Sequence, residues 1–472
     1  MKAIKYVMAG ALVLSTTLAA NAQDVKAQVD AITKVVIDNN GDAKATKAAV
    51  SEFLKVNKKN PTALAGLGRA YFDAKNEEEA QKYADLAIKT DKNAAAGYLL
   101  KGDIARAKDE GGEAAMWYET ATIQDPQEPT AYVKYARVYQ KVDPDGAVAM
   151  LEKLRKVKPD YPVDAAAGYM YSDANKLKKA IEYYDKVADV TVLDDYILYD
   201  YASTAYVLDD YEKALKLSKA GSQKYPDYSS FNRVAFYSST KLKDYNGALG
   251  YADKLFNKKD TLKFIANDYQ YYGDVHYNLG NTDKAIEAYK KVQEVAPERN
   301  DVYKLISDVN VKSKDFSSAI TNYNKYLELL GENANANHYR GLADIYIDQM
   351  DAAPEAEKNG LLKKADDVYA DIATRFDYAK DYAIYQRANI HHQMNTDLKK
   401  GEAKPFYEEY ISLVEPKEEK TASDQRKLAV AYQYLAVHYI QNDKVAPAKE
   451  YAEKLLQYKP DDETAQQIIN LK

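Results

Sequence analysis

Side chains with the chemistry to catalyse or to hold metals are sparse in this chain of 472 residues. It has no Cys, which removes disulfides, thiolate-held metals and thiol nucleophiles. The five His are His276, His338, His391, His392 and His438. His391 and His392 are adjacent, and consecutive residues of a helix point about 100° apart, so they do not aim at one metal ion. No His-Glu-x-x-His helix, no phosphate loop ending Gly-Lys-Ser/Thr and no Gly-x-Ser-x-Gly turn occurs. Gly66-Leu67-Gly68 comes nearest to a phosphate-cradling glycine motif, but it lacks the third Gly and falls in an expected helix. Asp194-Asp195 and Asp366-Asp367 are carboxylate pairs of the kind glycoside hydrolysis uses. Such pairs are common in a chain that is 29% charged, and sequence fixes no distance between two of them. The inventory implies no catalytic residue, no metal ligand and no cofactor, and the chain reads as a non-enzyme.

One versatile side chain is abundant. Tyr occurs 44 times, against 9 Phe and 1 Trp. Its ring buries a large area while its hydroxyl stays available for a hydrogen bond, so a Tyr-rich surface suits protein partners or the faces of sugars. Whether these rings form a surface depends on the elements that carry them. Only 19 Gly and 13 Pro are present, too few for the turns of an all-β fold, so the elements are expected to be helices.

Those helices recur. One Ala returns as Ala49, Ala80, Ala114, Ala147, Ala180, Ala214, Ala248, Ala285, Ala319, Ala365, Ala403 and Ala448, at intervals of 33 or 34 residues from Ala80 to Ala248. Four residues later stands a larger residue in Phe53, Tyr118, Leu151, Tyr184, Tyr289, Tyr323, Tyr369 and Tyr407. Twelve residues later comes Pro in Pro61, Pro126, Pro159, Pro226, Pro297 and Pro460, placed to end a helix. Twelve residues before it lies a small residue in Gly68, Gly102, Gly168, Ala202, Gly273, Ser307 and Ala436, where two backbones can approach. Lys75-Asn76-Glu77, Asp209-Asp210-Tyr211, Gly280-Asn281-Thr282 and Lys314-Asp315-Phe316 carry the Asn, Asp and Gly that favour turns. The unit is a helix–turn–helix hairpin. The last three copies carry extra residues, at 347–360 and 415–427.

Tyr269 to Pro297 and Tyr432 to Pro460 are the best copies, and with them the sequence resembles the tetratricopeptide repeat family over nearly its whole length. The resemblance implies an all-α fold, a right-handed superhelical solenoid of about twelve hairpins, with Glu463 to Leu471 as a closing helix. It further implies a concave groove lined by the first helix of each hairpin, at positions 15, 11 and 8 residues before the repeated Ala. There this sequence has Tyr169, Tyr199, Tyr206, Tyr237 and Tyr277, with Arg69, Arg106 and Arg233 and, allowing one shorter loop, Arg137. Some members of the family clamp a partner's C-terminal carboxylate with Lys and Asn. The corresponding positions here hold Ala65, Leu99, Arg69 and Asp103, which does not match that clamp.

Lys2 and Lys5, the apolar run Val7 to Ala20 and the Ala20-Asn21-Ala22 site have the layout of a signal peptide, with cleavage expected after Ala22. The apolar run is shorter than the ~20 residues of a spanning helix. No Cys stands at the cleavage point to take a lipid. A periplasmic or secreted protein is therefore expected, with no transmembrane segment after cleavage. The formal net charge of −6, with both signs mixed along the chain, argues against nucleic acid as partner. The expected organisation is a signal peptide at 1–22, a regular array at 23–330, and its continuation at 331–472 with longer loops and a capping helix. The expected function is that of an extracytoplasmic scaffold or adaptor binding a protein or peptide in the groove. The alternative is a glycan-binding envelope protein that uses the groove tyrosines.

Overall fold

A computed structural model describes residues 22–258 and 260–471. The expected signal peptide, apart from Ala22, lies outside the described residues. Every regular element among the described residues is helical, and they form two compact units that part between Leu262 and Lys263.

The first unit contains α1 (Ala22–Asp38), α2 (Ala43–Asn57), α3 (Pro61–Asp73), α4 (Glu77–Thr90), α5 (Ala95–Ala107), α6 (Gly111–Gln124), α7 (Pro129–Tyr139) and α8 (Pro144–Val157). It continues with α9 (Val163–Asp173), α10 (Leu177–Tyr184), α11 (Asp195–Val207), α12 (Tyr211–Lys224), α13 (Ser230–Lys241) and α14 (Tyr245–Phe256). The second unit contains α15 (Ala266–Asn278), α16 (Thr282–Val295), α17 (Asp301–Lys312), α18 (Phe316–Leu330), α19 (Ala336–Ala352) and α20 (Glu355–Arg375). It ends with α21 (Lys380–Met394), α22 (Lys404–Val414), α23 (Ala422–Gln441), α24 (Val445–Tyr458) and α25 (Glu463–Ile469). Odd-numbered helices up to α23 are the first helices of twelve hairpins, even-numbered ones are the second helices, and α25 closes the array. The two units divide at Leu262. Lengthened connections begin near 330, but there α18 still packs on α19, whereas 260–265 is a helix-free linker.

Local chemistry sets each hairpin. The first helix ends on a residue with left-handed backbone, at φ 64° for Lys75, 61° for Asp109, 57° for Asn175, 63° for Asp209, 62° for Lys243, 63° for Lys314 and 56° for Asp443. Gly280, at φ 78°, is the copy with the residue best suited to that conformation. The next N–H returns to the carbonyl five residues back, as from Asn76 to Tyr71 and from Asp210 to Ala205, both at about 3 Å (2.9 and 3.0). This satisfies carbonyls that the helix end leaves open. The following residue then starts the second helix. Asn76, Asp210, Asp244 and Asp315 each accept the N–H three residues on, at 3.1, 3.1, 3.0 and 3.2 Å. One hairpin turns a residue sooner, with the Asp143 N–H bonded to the Tyr139 carbonyl at 2.7 Å.

The repeated Ala is fully buried in eleven copies, from Ala80 to Ala448. The first copy needs correction. Ala49 is only half-buried, and the residue in the buried slot is Thr46, whose N–H bonds to the cap carbonyl of Asp42 as the N–H of Ala80 does to Asn76. Thr46 lies 34 residues before Ala80, the regular interval, and its hydroxyl bonds that of Tyr71 at 2.7 Å. Pro61 therefore falls out of the Pro series. It opens α3 rather than ending α2, at a position where its missing N–H costs nothing. The larger residues four positions on are all buried, and the small residues make room for their rings. A Cβ added at Gly102, Gly168 or Gly273 would stand 2.4, 2.6 or 2.4 Å from Tyr118, Tyr184 or Tyr289.

The extra residues at 347–360 are helix rather than loop. They lengthen the end of α19 and the start of α20 around a tight turn at Ala353-Pro354. At 415–427 the connector is short, and α23 already begins at Ala422.

Candidate functional site

The first-helix face of the first unit gathers charge across successive hairpins. Arg69 on α3 and Lys134 on α7 both reach Asp103 on α5, each at 2.5 Å. The Tyr118 hydroxyl donates to the same carboxylate at 2.7 Å. Burial, then the bond to Asp103 and its charge, pushes the Tyr118 hydroxyl far above its ordinary value. The Arg69 guanidinium lies 5.4 Å from the Phe72 ring centre, and Arg69, Phe72, Asp103, Arg106, Ala107 and Lys134 line one cleft.

Further along the same unit the polar centre is Asp200 on α11. It accepts from Tyr184 at 2.6 Å and from Ser172 at 2.9 Å. Burial pushes its carboxyl above the usual range, and the bonds from Tyr184 and Ser172 oppose that shift. A group whose folded pKa is raised loses stability as pH rises from its unfolded value, near 3.9, through its folded value. Tyr184→Phe removes the stronger opposing bond, so it is expected to raise Asp200 further and to steepen this loss. Urea unfolding of both proteins between pH 4 and pH 7 checks it: the deficit of the variant grows towards pH 7, and a deficit constant with pH contradicts the assignment.

The expected groove residues do not all behave alike. Tyr169 and Tyr199 are half-buried and meet Tyr196 and Tyr228 edge to face, with ring centres 5.4 and 5.6 Å apart. Tyr206 is also half-buried and leans on Tyr237 at 6.0 Å. Tyr237 is 7% exposed, a core ring rather than a surface one, because Phe236 occupies the small-residue slot beside it and Tyr206 covers it. Arg106 and Arg137 are exposed and Arg233 is half-buried. Tyr277, in the second unit, is half-buried with the Lys312 ammonium 4.2 Å from its ring centre.

Sequence reading missed Asp103 as a hub, Lys134, Asp200 and Ser172. A signal for the first was present. Asp103 and Tyr118 are 15 residues apart, as are Asp274 and Tyr289, and in both pairs the hydroxyl donates to the carboxylate at 2.7 Å. His438 bonds the Leu398 carbonyl at 2.6 Å, and His391 stacks on Phe406 at 4.3 Å beside Asp366. Among the described residues no group of three or more His, Asp or Glu is arranged to hold a metal ion, and no helix is long and apolar enough to cross a membrane.

Comparison with known proteins matches residues 61–93 and 269–299 to the tetratricopeptide repeat family. These are the hairpins α3–α4 and α15–α16. A TPR repeat-containing protein of Methanocaldococcus jannaschii is 24% identical over 253 residues, 53% of this chain and 40% of that protein. The inactive peptidyl-prolyl cis-trans isomerase shutdown of Bombyx mori is 31% identical over 84 residues, 18% of each chain. This chain thus spans less than half the length of the curated relatives it matches. Among solved structures, the C-terminal part of a TPR repeat-containing protein from Cytophaga hutchinsonii is 20% identical, covering 58% of this chain and 100% of that one with a TM-score of 0.47. Both matched stretches are hairpins of an array whose turn, buried Ala and facing small residue recur from one copy to the next, and the chain accordingly carries tetratricopeptide repeats at these positions.

Proposed function

We propose that this protein is a non-catalytic, extracytoplasmic scaffold that holds a peptide or protein segment against its first-helix faces. The observation that carries this reading is the cluster of Arg69, Asp103, Arg106 and Lys134, which three successive hairpins build on one face of the first unit. Residues that repeat for packing are buried, whereas these differ from copy to copy, and Arg106 is exposed with Arg69 and Lys134 partly so, as a recognition surface requires. The amino-terminal segment, with its basic start, apolar run and Ala-Asn-Ala site, supports export. The protein reading is preferred to the glycan reading because Tyr237 is buried and Tyr169 and Tyr199 are engaged edge to face with neighbouring rings. Photo-cross-linkers placed at Ala107, an exposed residue of the same cleft, and at Lys89, an exposed residue of α4, test this in intact cells. A recurring protein adduct from the first position alone is expected, and adducts equal at both positions argue against it. Fractionation of the same cells, with sequencing of the mature N-terminus, tests export.

A further inference from the structure

We propose that the face formed by α3, α5 and α7 binds an acidic segment of its partner protein, taking two side-chain carboxylates about three residues apart. This rests on the scaffold reading above and specifies its chemistry. The three helices carry Arg69, Lys101, Arg106, Lys134 and Arg137 against Asp73 and Asp103, a formal +3 in a chain whose total is −6. Lys101 is turned away to Asp85. The other four cations are shared among first-helix positions.

Their internal pairing is incomplete. Asp103 already receives Arg69, Lys134 and Tyr118, so its one charge answers two cations. Arg106 and Arg137 are exposed, and no ion pair involves either among the described residues. Arg106 lines a cleft of about 280 Å³ with Arg69, Phe72 and Lys134, large enough for a carboxylate side chain. A guanidinium there offers two parallel N–H groups, the geometry that carboxylates match. Arg137 stands one hairpin further on. Burial pushes the Tyr161 and Tyr169 hydroxyls up, and the Arg137 charge acts in the opposite direction on both. Asp173, which ends α9, is answered by Gln140 at 2.8 Å and Lys141 at 4.0 Å, and does not neutralise Arg137. Lys134 on α7 reaches Asp103 on α5 at 2.5 Å, so the two helices lie within the reach of two side chains, about 10 Å, which roughly three residues of extended chain span. A segment with acids at that spacing meets Arg106 with one and Arg137 with the other, while the residues flanking the two acids reach towards Phe72 on one side and Tyr161 on the other.

The probe is a labelled twelve-residue Gly/Ser/Ala peptide with two Glu three residues apart and an amidated C-terminus, so that only side-chain carboxylates are offered. Titrated against the full chain at low salt, it is expected to bind at least tenfold more tightly than its Gln counterpart. Arg106→Gln with Arg137→Gln should abolish that preference, and Lys89→Gln should leave it intact. Because both arginines are exposed, unchanged helical circular dichroism confirms that the double variant folds. Equal binding of the Glu and Gln peptides, or a preference unaffected by the double substitution, overturns the proposal. If cross-linking still captures a partner at Ala107 in that case, the scaffold reading stands and only its acidic chemistry falls.

Discussion

Arg387→Met is expected to destabilise the second unit by about 3 kcal/mol at neutral pH. Arg387 on α21 binds Asp366 on α20 through two bonds of 2.8 and 3.0 Å. Asp366 is 7% exposed, and His391 stands 3.3 Å from it as its other partner. Burial acts to raise its carboxyl, but the neighbouring His391 and the two bonds and charge of Arg387 win, holding it below the usual carboxylate range. Removing one partner of a buried pair leaves an uncompensated charge, which costs roughly 3–5 kcal/mol. The lower end applies because His391 remains.

The sign with pH follows from linkage. In the parent, Asp366 has a lowered folded pKa, so its contribution is present above the unfolded value, near 3.9, and is lost as pH falls through the folded value. In the variant burial dominates, the folded pKa rises, and the carboxylate destabilises until it is protonated. The stability gap between parent and variant is therefore expected to narrow between pH 7 and pH 4. Chemical denaturation at both pH values measures it. A gap below about 1 kcal/mol at pH 7, or one that widens on acidification, would show that the pair is not structural in this way.

Gly273→Leu is the second large effect, about 3 kcal/mol by overpacking. A Cβ at this position would stand 2.4 Å from Tyr289, a ring 2% exposed with no solvent to move into. Displacing the ring also breaks the Tyr289–Asp274 bond of 2.7 Å. Since each hairpin leans only on its neighbours, the damage should stay local. Hydrogen exchange is expected to quicken across α15 to α18 while the first unit keeps its protection, and uniformly unchanged protection would contradict the account.

The same packing explains the Tyr excess. Tyr118, Tyr184, Tyr289, Tyr323, Tyr369 and Tyr407 are buried in one repeated slot, and Tyr98, Tyr132, Tyr201 and Tyr432 fill others. These rings are scaffold rather than binding surface. Misreading arose where a residue type stood in for a position. Ala49 matched the repeated residue by identity, while Thr46, small enough for the slot and able to bond Tyr71, occupies it. Tyr237 matched a groove position by count, but its neighbour Phe236 is too large for the small-residue slot and the ring beside it is enclosed.

Helix content, the hairpin period, the turns and the closing helix were determined by sequence alone, because each depends on residues within one hairpin. A left-handed Lys or Gly, a capping Asp and a Tyr facing Gly all act over fewer than twenty positions. The tertiary structure alone decided which side chains meet between hairpins. Arg69 and Lys134 are separated by Asp103 at intervals of 34 and 31 residues, and nothing periodic says that one carboxylate will answer both. That depends on how closely three helices stack, and with it on which cations are left over for a partner.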